Sequence, residues 1–148
     1  MTKEELIKNA AALTPPSKAS ATEFNEKSER LAAELNEQMS ARKDLEALVG
    51  TDNTGMMQDN SRNMVRFMGS LLANYNPETF VETVLWVFRA YRSHGFRLTF
   101  WSAFIDTFTG ILKERMTEEA YKEIYPFYNW IIVHIPAFVQ LTDGKDGG

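Results

Sequence analysis

The sequence predicts an all-α fold. Long stretches without Gly or Pro carry apolar residues at three- and four-residue spacing, which is the period of an amphipathic helix. Helix start signals recur between these stretches. Asn76-Pro77-Glu78 offers a cap, a proline at the first helical position and an acid near the positive helix end, and Thr117 followed by two glutamates offers another. Together these features predict helices throughout and no substantial sheet.

Composition limits what the chain can be. At 148 residues, with 44% hydrophobic and 24% charged residues, it fits one domain with a real core. The net charge of −4 gives no general attraction to nucleic acid or anionic lipid. The absence of cysteine excludes disulfides and thiolate metal sites. With a polar start and apolar runs too short to span a bilayer, the sequence predicts a cytoplasmic protein with no membrane and no nucleic-acid partner.

The first fifty residues predict two helices separated by a proline break. Lys3 to Leu13 forms a short helix, which Pro15 and Pro16 end. The stretch that follows, up to Gly50, is rich in good helix formers and predicts one long helix. Its apolar seam leaves two alternatives, a solvated helix with one apolar stripe or a helix that pairs with a second copy. The seam consists of Phe24, Leu31, Leu35, Leu45 and Val49.

Two further helices follow the loop GTDNTG. Asn60 or Ser61 is expected to cap the first of them, whose buried face repeats at helical spacing. The second starts at Asn76 and ends near Gly95, because glycine readily adopts the left-handed conformation that closes a helix. We therefore interpret His94, one of two histidines, as a residue of the helix end. A role as ligand or base is the alternative, but no acid, metal ligand or nucleophile clusters with it in the sequence.

The last two predicted helices are unusually apolar. The first spans 98–115 and has a broad apolar face, and the second spans 117–141 and contains Pro126 and Pro136. The apolar period continues across both prolines, which predicts one kinked helix rather than two short ones. This helix is apolar on two faces, and since one face is enough to pack it on its own domain, we expect the other to form an interface. Residues 143–148 are expected to form a flexible tail.

No motif in the sequence points to catalysis. A phosphate-binding glycine loop, metal-ligand spacing, an activated nucleophile and a paired acid and base are all missing. Basic residues are interleaved with acids, as on a solvated face. The sequence therefore predicts a protein that is not an enzyme and has no metal site.

The C-terminal half resembles the last three helices of globins, in particular those of the bacterial globin-coupled sensors. Gly95 matches the glycine that closes the haem-bearing helix, and Phe100-Trp101 matches the aromatic pair that follows it. The position of the haem-ligating histidine then falls on Tyr91, and His94 takes that of the apolar residue beside the glycine. Without that histidine, the chain is more similar to the non-haem globin-like domains of RsbR-type stressosome proteins, which dimerise through their last two helices.

The resemblance covers residues 60–142 and implies a globin-like helical domain over 51–142, with an N-terminal helical extension over 1–50. It implies a non-enzymatic sensory or regulatory homodimer without a cofactor. A small apolar ligand would take the place of haem, and a signalling protein would be the downstream partner. Two alternatives remain open: a haem- or tetrapyrrole-binding sensor that uses Tyr91 or His94 as axial ligand, and a helical adaptor or scaffold.

Two sets of candidate functional residues follow from this comparison. One set would surround the ligand pocket, and the other would form the dimer interface on the helices at 98–115 and 117–141. The pocket candidates are Phe67, Trp86, Tyr91, His94 and Trp101. The interface candidates are Phe108, Tyr128, Ile131, Ile132, Ile135 and Phe138.

Overall fold

The computed structural model describes residues 1–143, and these residues form α-helices joined by turns and short loops, with no strand among them. The prediction of an all-α fold is confirmed. No helix in this part of the chain is long and apolar enough to cross a membrane. The tail predicted over 143–148 lies, from residue 144 onward, outside the described residues. The helices are α1 (Lys3–Ala10), α2 (Lys18–Ser40), α3 (Leu45–Val49), α4 (Thr54–Ala73), α5 (Pro77–Ser93), α6 (Thr99–Arg115), α7 (Glu118–Val133) and α8 (Ile135–Thr142).

Side-chain caps fix where two of the predicted helices begin. Asn76 Oδ1 accepts a hydrogen bond from the backbone N–H of Thr79 at 3.0 Å, and Pro77 is the first residue of α5. Thr117 Oγ1 accepts one from the backbone N–H of Ala120 at 3.2 Å, at the start of α7. Each cap satisfies a backbone donor that has no partner within its helix. Both predicted start signals are confirmed.

Two other predicted boundaries are wrong. α4 begins at Thr54, so Ser61 lies inside the helix, where its hydroxyl donates to the carbonyl of Met57 at 2.8 Å instead of capping a helix start. The long helix predicted up to Gly50 ends at Ser40, and a short loop separates it from α3. After this break, α3 packs against α4 and α6.

α2 lies at the centre of the domain, where it packs against α4, α6 and α7. Its apolar seam, continued by α3, is buried in the chain's own core, so both the solvated helix and the pairing with a second copy through this seam are wrong. The division at residue 50 into an extension and a core stays a prediction, although residues on both sides of it share one hydrophobic core. The buried seam residues are Phe24, Leu31, Leu35, Leu45 and Val49.

The C-terminal segment forms two helices, so the prediction of one kinked helix is wrong. Pro126 does lie inside α7, but the chain breaks at His134, and Pro136 sits in the first turn of α8. Proline fits a first turn because the N–H it lacks would have no helical partner there. After the break, α8 packs along α5, and the ring of Phe138 stacks on that of Phe88 with centroids 5.4 Å apart. The pair α7 and α8 thus has an inner side against the core and an outer side facing away from it.

Candidate functional site

Tyr91 occupies the position at which the resemblance places a haem ligand, and its ring belongs to the aromatic core. It stacks on Phe96 with centroids 4.4 Å apart and approaches Phe100 and Trp101 at 5.4 and 5.5 Å. Trp101 in turn stacks on Phe88 at 4.2 Å with the ring planes 3° apart. All five rings are buried. Neighbouring rings therefore fill the space beside Tyr91 that a bound ligand would need.

The chemistry of Tyr91 does not fit a haem ligand either. Burial raises the pKa of its hydroxyl well above the usual value, and the Asn60 side chain opposes only part of that rise. No hydrogen bond of good geometry joins the Tyr91 hydroxyl to a described residue. Tyrosine ligates haem iron as the phenolate, and burial disfavours that charged form. The residues at this position therefore do not fit haem.

His94 ends α5, as predicted. Its ring is exposed, and Nδ1 lies 2.8 Å from the carbonyl oxygen of Ala90, one turn earlier. Gly95 follows with a φ of 88°, in the left-handed region that favours glycine. The backbone carbonyl of His94 accepts a hydrogen bond from Asn53 Nδ2 at 2.9 Å. These are contacts of a helix end. Among residues 1–143, no group of three or more His, Asp or Glu side chains is placed to hold a metal ion.

The five residues predicted around a ligand pocket do not converge on one cavity. Tyr91 and Trp101 are neighbours inside the core, whereas Phe67 is half-buried on α4. Trp86 is 67% exposed on the solvent side of α5, and His94 is exposed at its end. Helical periodicity assigned each residue to the correct helix. It did not reveal that Trp86 faces away from the others.

Only two of the six predicted interface residues, Ile132 and Ile135, reach the surface, where both are half-buried. The other four lie inside the chain's own core, where they cannot meet a partner unless the domain opens. The ring of Tyr128, for example, lies 5.3 Å from that of Phe108, and burial raises the pKa of its hydroxyl. A contact made by α7 and α8 must therefore use their outer side. The four buried residues are Phe108, Tyr128, Ile131 and Phe138.

The outer side of α7 and α8 carries apolar residues that the sequence analysis did not select. Val133 is 61% exposed and Tyr125 is 37% exposed. At about 100° per residue, these two and Ile132 fall within roughly a third of the α7 circumference. Exposed Pro136 continues this surface onto α8. We call Tyr125, Ile132, Val133 and Pro136 the outer apolar row.

A sequence signal for the outer apolar row does exist. From residue 124 to residue 142 the chain contains no Asp, Glu, Lys or Arg, in a protein that is 24% charged. A surface helix normally carries charged residues on its solvent side. Their absence from residues 124–133 of α7 and from all of α8 marks this segment more clearly than the apolar period does.

Compared with known proteins, the chain matches no family model, no curated protein and no solved structure. The globin-like resemblance therefore stays a prediction.

Proposed function

We propose that the protein is a non-enzymatic sensory or regulatory domain that works as a homodimer, with α7 and α8 of each copy in contact. The observation that carries this proposal is the outer apolar row. Val133 and Tyr125 are large and exposed, and no Asp, Glu, Lys or Arg occurs between residues 124 and 142. Monomers rarely leave a contiguous apolar patch of this kind in water. The resemblance to non-haem globin-like domains implies a contact through the predicted helices at 98–115 and 117–141, and the second of these corresponds to α7 and α8.

The energy of association is consistent with this contact. In a two-fold pairing the same patch meets itself, so each residue of the outer apolar row is buried once in each copy. Burying a large apolar side chain contributes roughly 1.5–3 kcal/mol. Association costs about 4–15 kcal/mol. Val133 and Tyr125 are 61% and 37% exposed and Ile132 is half-buried, so each contributes only the corresponding fraction of that value. The three side chains from both copies therefore offset only the lower part of this cost, which fits a weak, reversible dimer.

The carboxylates with the clearest local roles support a structural rather than a catalytic use. Glu23 accepts hydrogen bonds from the backbone N–H and the hydroxyl of Thr117, both at 2.8 Å, at the start of α7. Glu123 accepts one from the backbone N–H of Ser17 at 2.6 Å, at the start of α2. In both cases hydrogen bonding lowers the pKa of the carboxyl. These groups hold helix ends in place, and the Thr117 hydroxyl that Glu23 contacts is itself the cap of α7.

Sedimentation equilibrium tests the proposal. The unmodified chain is expected to give a dimer mass that falls with dilution. Val133→Asp places a charge in the contact and is expected to give a monomer with unchanged helicity. Leu98→Asp is the matched control, because Leu98 is also exposed but lies at the start of α6, outside the outer apolar row. A monomer for the unmodified chain at every concentration would contradict the proposal, as would a dimer that survives Val133→Asp.

A further inference from the structure

The N-terminal helix α1 is attached to the rest of the domain by few contacts. It packs mainly on α5, and two of its residues, Leu6 and Ala10, are fully buried. The linker over 11–17 that joins it to α2 contains two prolines and is exposed except at Leu13 and Pro16, which are half-buried. α1 is therefore a small unit at the end of a largely exposed connection.

A cluster of aromatic rings holds the C-terminal end of α1. Trp130 Nε1 donates a hydrogen bond to Asn9 Oδ1 at 2.9 Å, and the Tyr75 hydroxyl donates one to the carbonyl of Ala10 at 2.6 Å. The rings of Trp130 and Tyr75 both pack against that of Phe80, with centroids 5.2 and 6.1 Å apart. Both polar side-chain atoms of this three-ring cluster are thus bonded to α1.

The N-terminal end of α1 is held by an exposed ion pair. Lys3 Nζ donates to Glu82 Oε2 of α5 at 2.8 Å, and a pair this exposed contributes little to stability. The anchors Lys3, Leu6 and Ala10 follow the i, i+3, i+7 spacing with which an amphipathic helix binds in a groove. The residues that bind α1 come from three parts of the chain, and we call them the α1-binding surface: Tyr75, Glu82 and Trp130.

α1 is too short to persist as a helix on its own. It has eight residues, whereas isolated helices shorter than about 12–15 residues are marginal in water. Its capping box, in which the backbone N–H groups of Thr2 and Glu5 each donate to the side chain of the other, stabilises only the first turn. The helix therefore depends on the α1-binding surface, so leaving that surface and unfolding are one event.

The start of α2 is held independently of α1. The backbone N–H of Ser17 donates to Glu123 of α7 at 2.6 Å, and Ser17 Oγ caps α2 by accepting from the backbone N–H of Ser20 at 3.2 Å. α2 then packs against α4, α6 and α7. The linker before Ser17 can therefore move without disturbing α2.

We propose that α1 is a detachable lid, which leaves the α1-binding surface and unfolds as a unit while α2–α8 stay folded. Its release frees the two donors on Tyr75 and Trp130 and uncovers the apolar surface beneath Leu6 and Ala10. The open surface binds a separate copy of the α1 sequence in the same way. This inference goes beyond the proposed function and does not depend on it.

Hydrogen exchange of the unmodified ¹⁵N-labelled chain tests the release. The backbone amides of α1 are expected to exchange together, at least about a hundredfold faster than the slowest amides of α2, because a local opening needs less free energy than global unfolding. Amides of α1 that exchange only as slowly as those of α2 would overturn the inference.

A variant and a peptide test the binding. In full-chain Leu6→Asp, the indole N–H resonance of Trp130 is expected to shift, because α1 leaves and Asn9 is lost as its acceptor. A C-terminally amidated peptide of residues 1–14 is expected to restore that resonance saturably. The peptide should bind the unmodified chain at least about tenfold more weakly, because the tethered α1 competes at a high effective concentration.

Two controls accompany this titration. Lys8→Gln changes an exposed residue of α1 and is expected to leave the Trp130 resonance in place, and a peptide carrying Leu6→Asp is expected not to bind. The inference is overturned if the Trp130 resonance of Leu6→Asp is unshifted, if it does not respond to the peptide, or if both peptides act equally. Loss of helicity throughout Leu6→Asp would also overturn it, because α2–α8 must stay folded. None of these readouts depends on dimer mass, so a failure here leaves the dimer proposal intact.

Discussion

The aromatic cluster around the α5–α6 turn and the outer apolar row on α7 and α8 are both built from large apolar side chains, but only the first is filled from within the chain. Tyr91 and Trp101 each contact several other rings and are buried. Val133 and Tyr125 remain exposed. Residue type alone therefore does not identify a binding surface. An apolar side chain marks a candidate binding surface only where no other residue of the same chain covers it.

The resemblance to globins predicts a haem ligand at Tyr91, which lies within the aromatic cluster. In this molecule the rings of the cluster pack against one another inside the core. The apolar surface that the chain leaves uncovered lies on the last two helices.

Replacing Trp101 with Ala tests the packed region and has the largest expected effect. The substitution removes a fully buried ring that stacks on Phe88, so the free energy of unfolding should fall by about 3–5 kcal/mol in urea denaturation. Trp86→Ala is the matched control, because the same side chain is removed from an exposed position. Its effect should stay within about 0.5 kcal/mol. Equal losses for the two tryptophans would mean that they are not packed as described.

Replacing Glu23 with Gln tests how firmly the core holds the start of α7. Burial alone would raise the pKa of Glu23, but hydrogen bonds from Lys27 and Thr117 outweigh it and lower the pKa below its usual 4.5. A lowered pKa in the folded state means that the carboxylate stabilises the protein above pH 4.5. This contribution is lost as the pH falls through that value toward the folded pKa.

The unfolding free energy of the unmodified chain should therefore decrease more between pH 6 and pH 3 than that of Glu23→Gln. Denaturant melts at several pH values measure the difference. Glu118→Gln is the control, because Glu118 is a neighbouring exposed glutamate on α7 whose longer contact to Lys122 is 4.0 Å. Parallel pH profiles for the unmodified chain and Glu23→Gln would contradict the account of α7.

Replacing Tyr91 with Phe has the smallest expected effect. It removes only the buried hydroxyl and keeps the ring that packs on Phe96. Removing a buried polar group that lacks a good hydrogen bond is nearly neutral or stabilising, so unfolding should change by less than about 1 kcal/mol. Urea denaturation of the variant checks this. A large loss would show that the hydroxyl has a partner or a role that packing does not explain.

Local signals in the sequence were sufficient for several parts of the fold. The caps at Asn76 and Thr117 and the helix end at His94 and Gly95 depend on side chains within a few residues, and all four are where the sequence placed them. The position of Ser40 as a helix end was missed, because that break depends on where α3 packs.

The candidate sites were harder to predict, because they depend on which helices become neighbours. The two apolar faces of the last predicted helix indicated an interface. The apolar residues repeat at the same helical spacing on the inner and the outer side, so the spacing does not show which side is exposed. For this reason the prediction included Ile131, which is buried, and left out Val133, which is exposed.

The most direct test of the central claim is an intermolecular distance across the outer apolar row. The chain has no cysteine, so Val133→Cys introduces a single position for a spin label, and Trp86→Cys does the same on α5. Double electron–electron resonance on each labelled protein should give a short, narrow distance between copies for position 133 and a longer one for position 86. No dipolar coupling at either position, or a shorter distance from position 86, would contradict a dimer formed through α7 and α8.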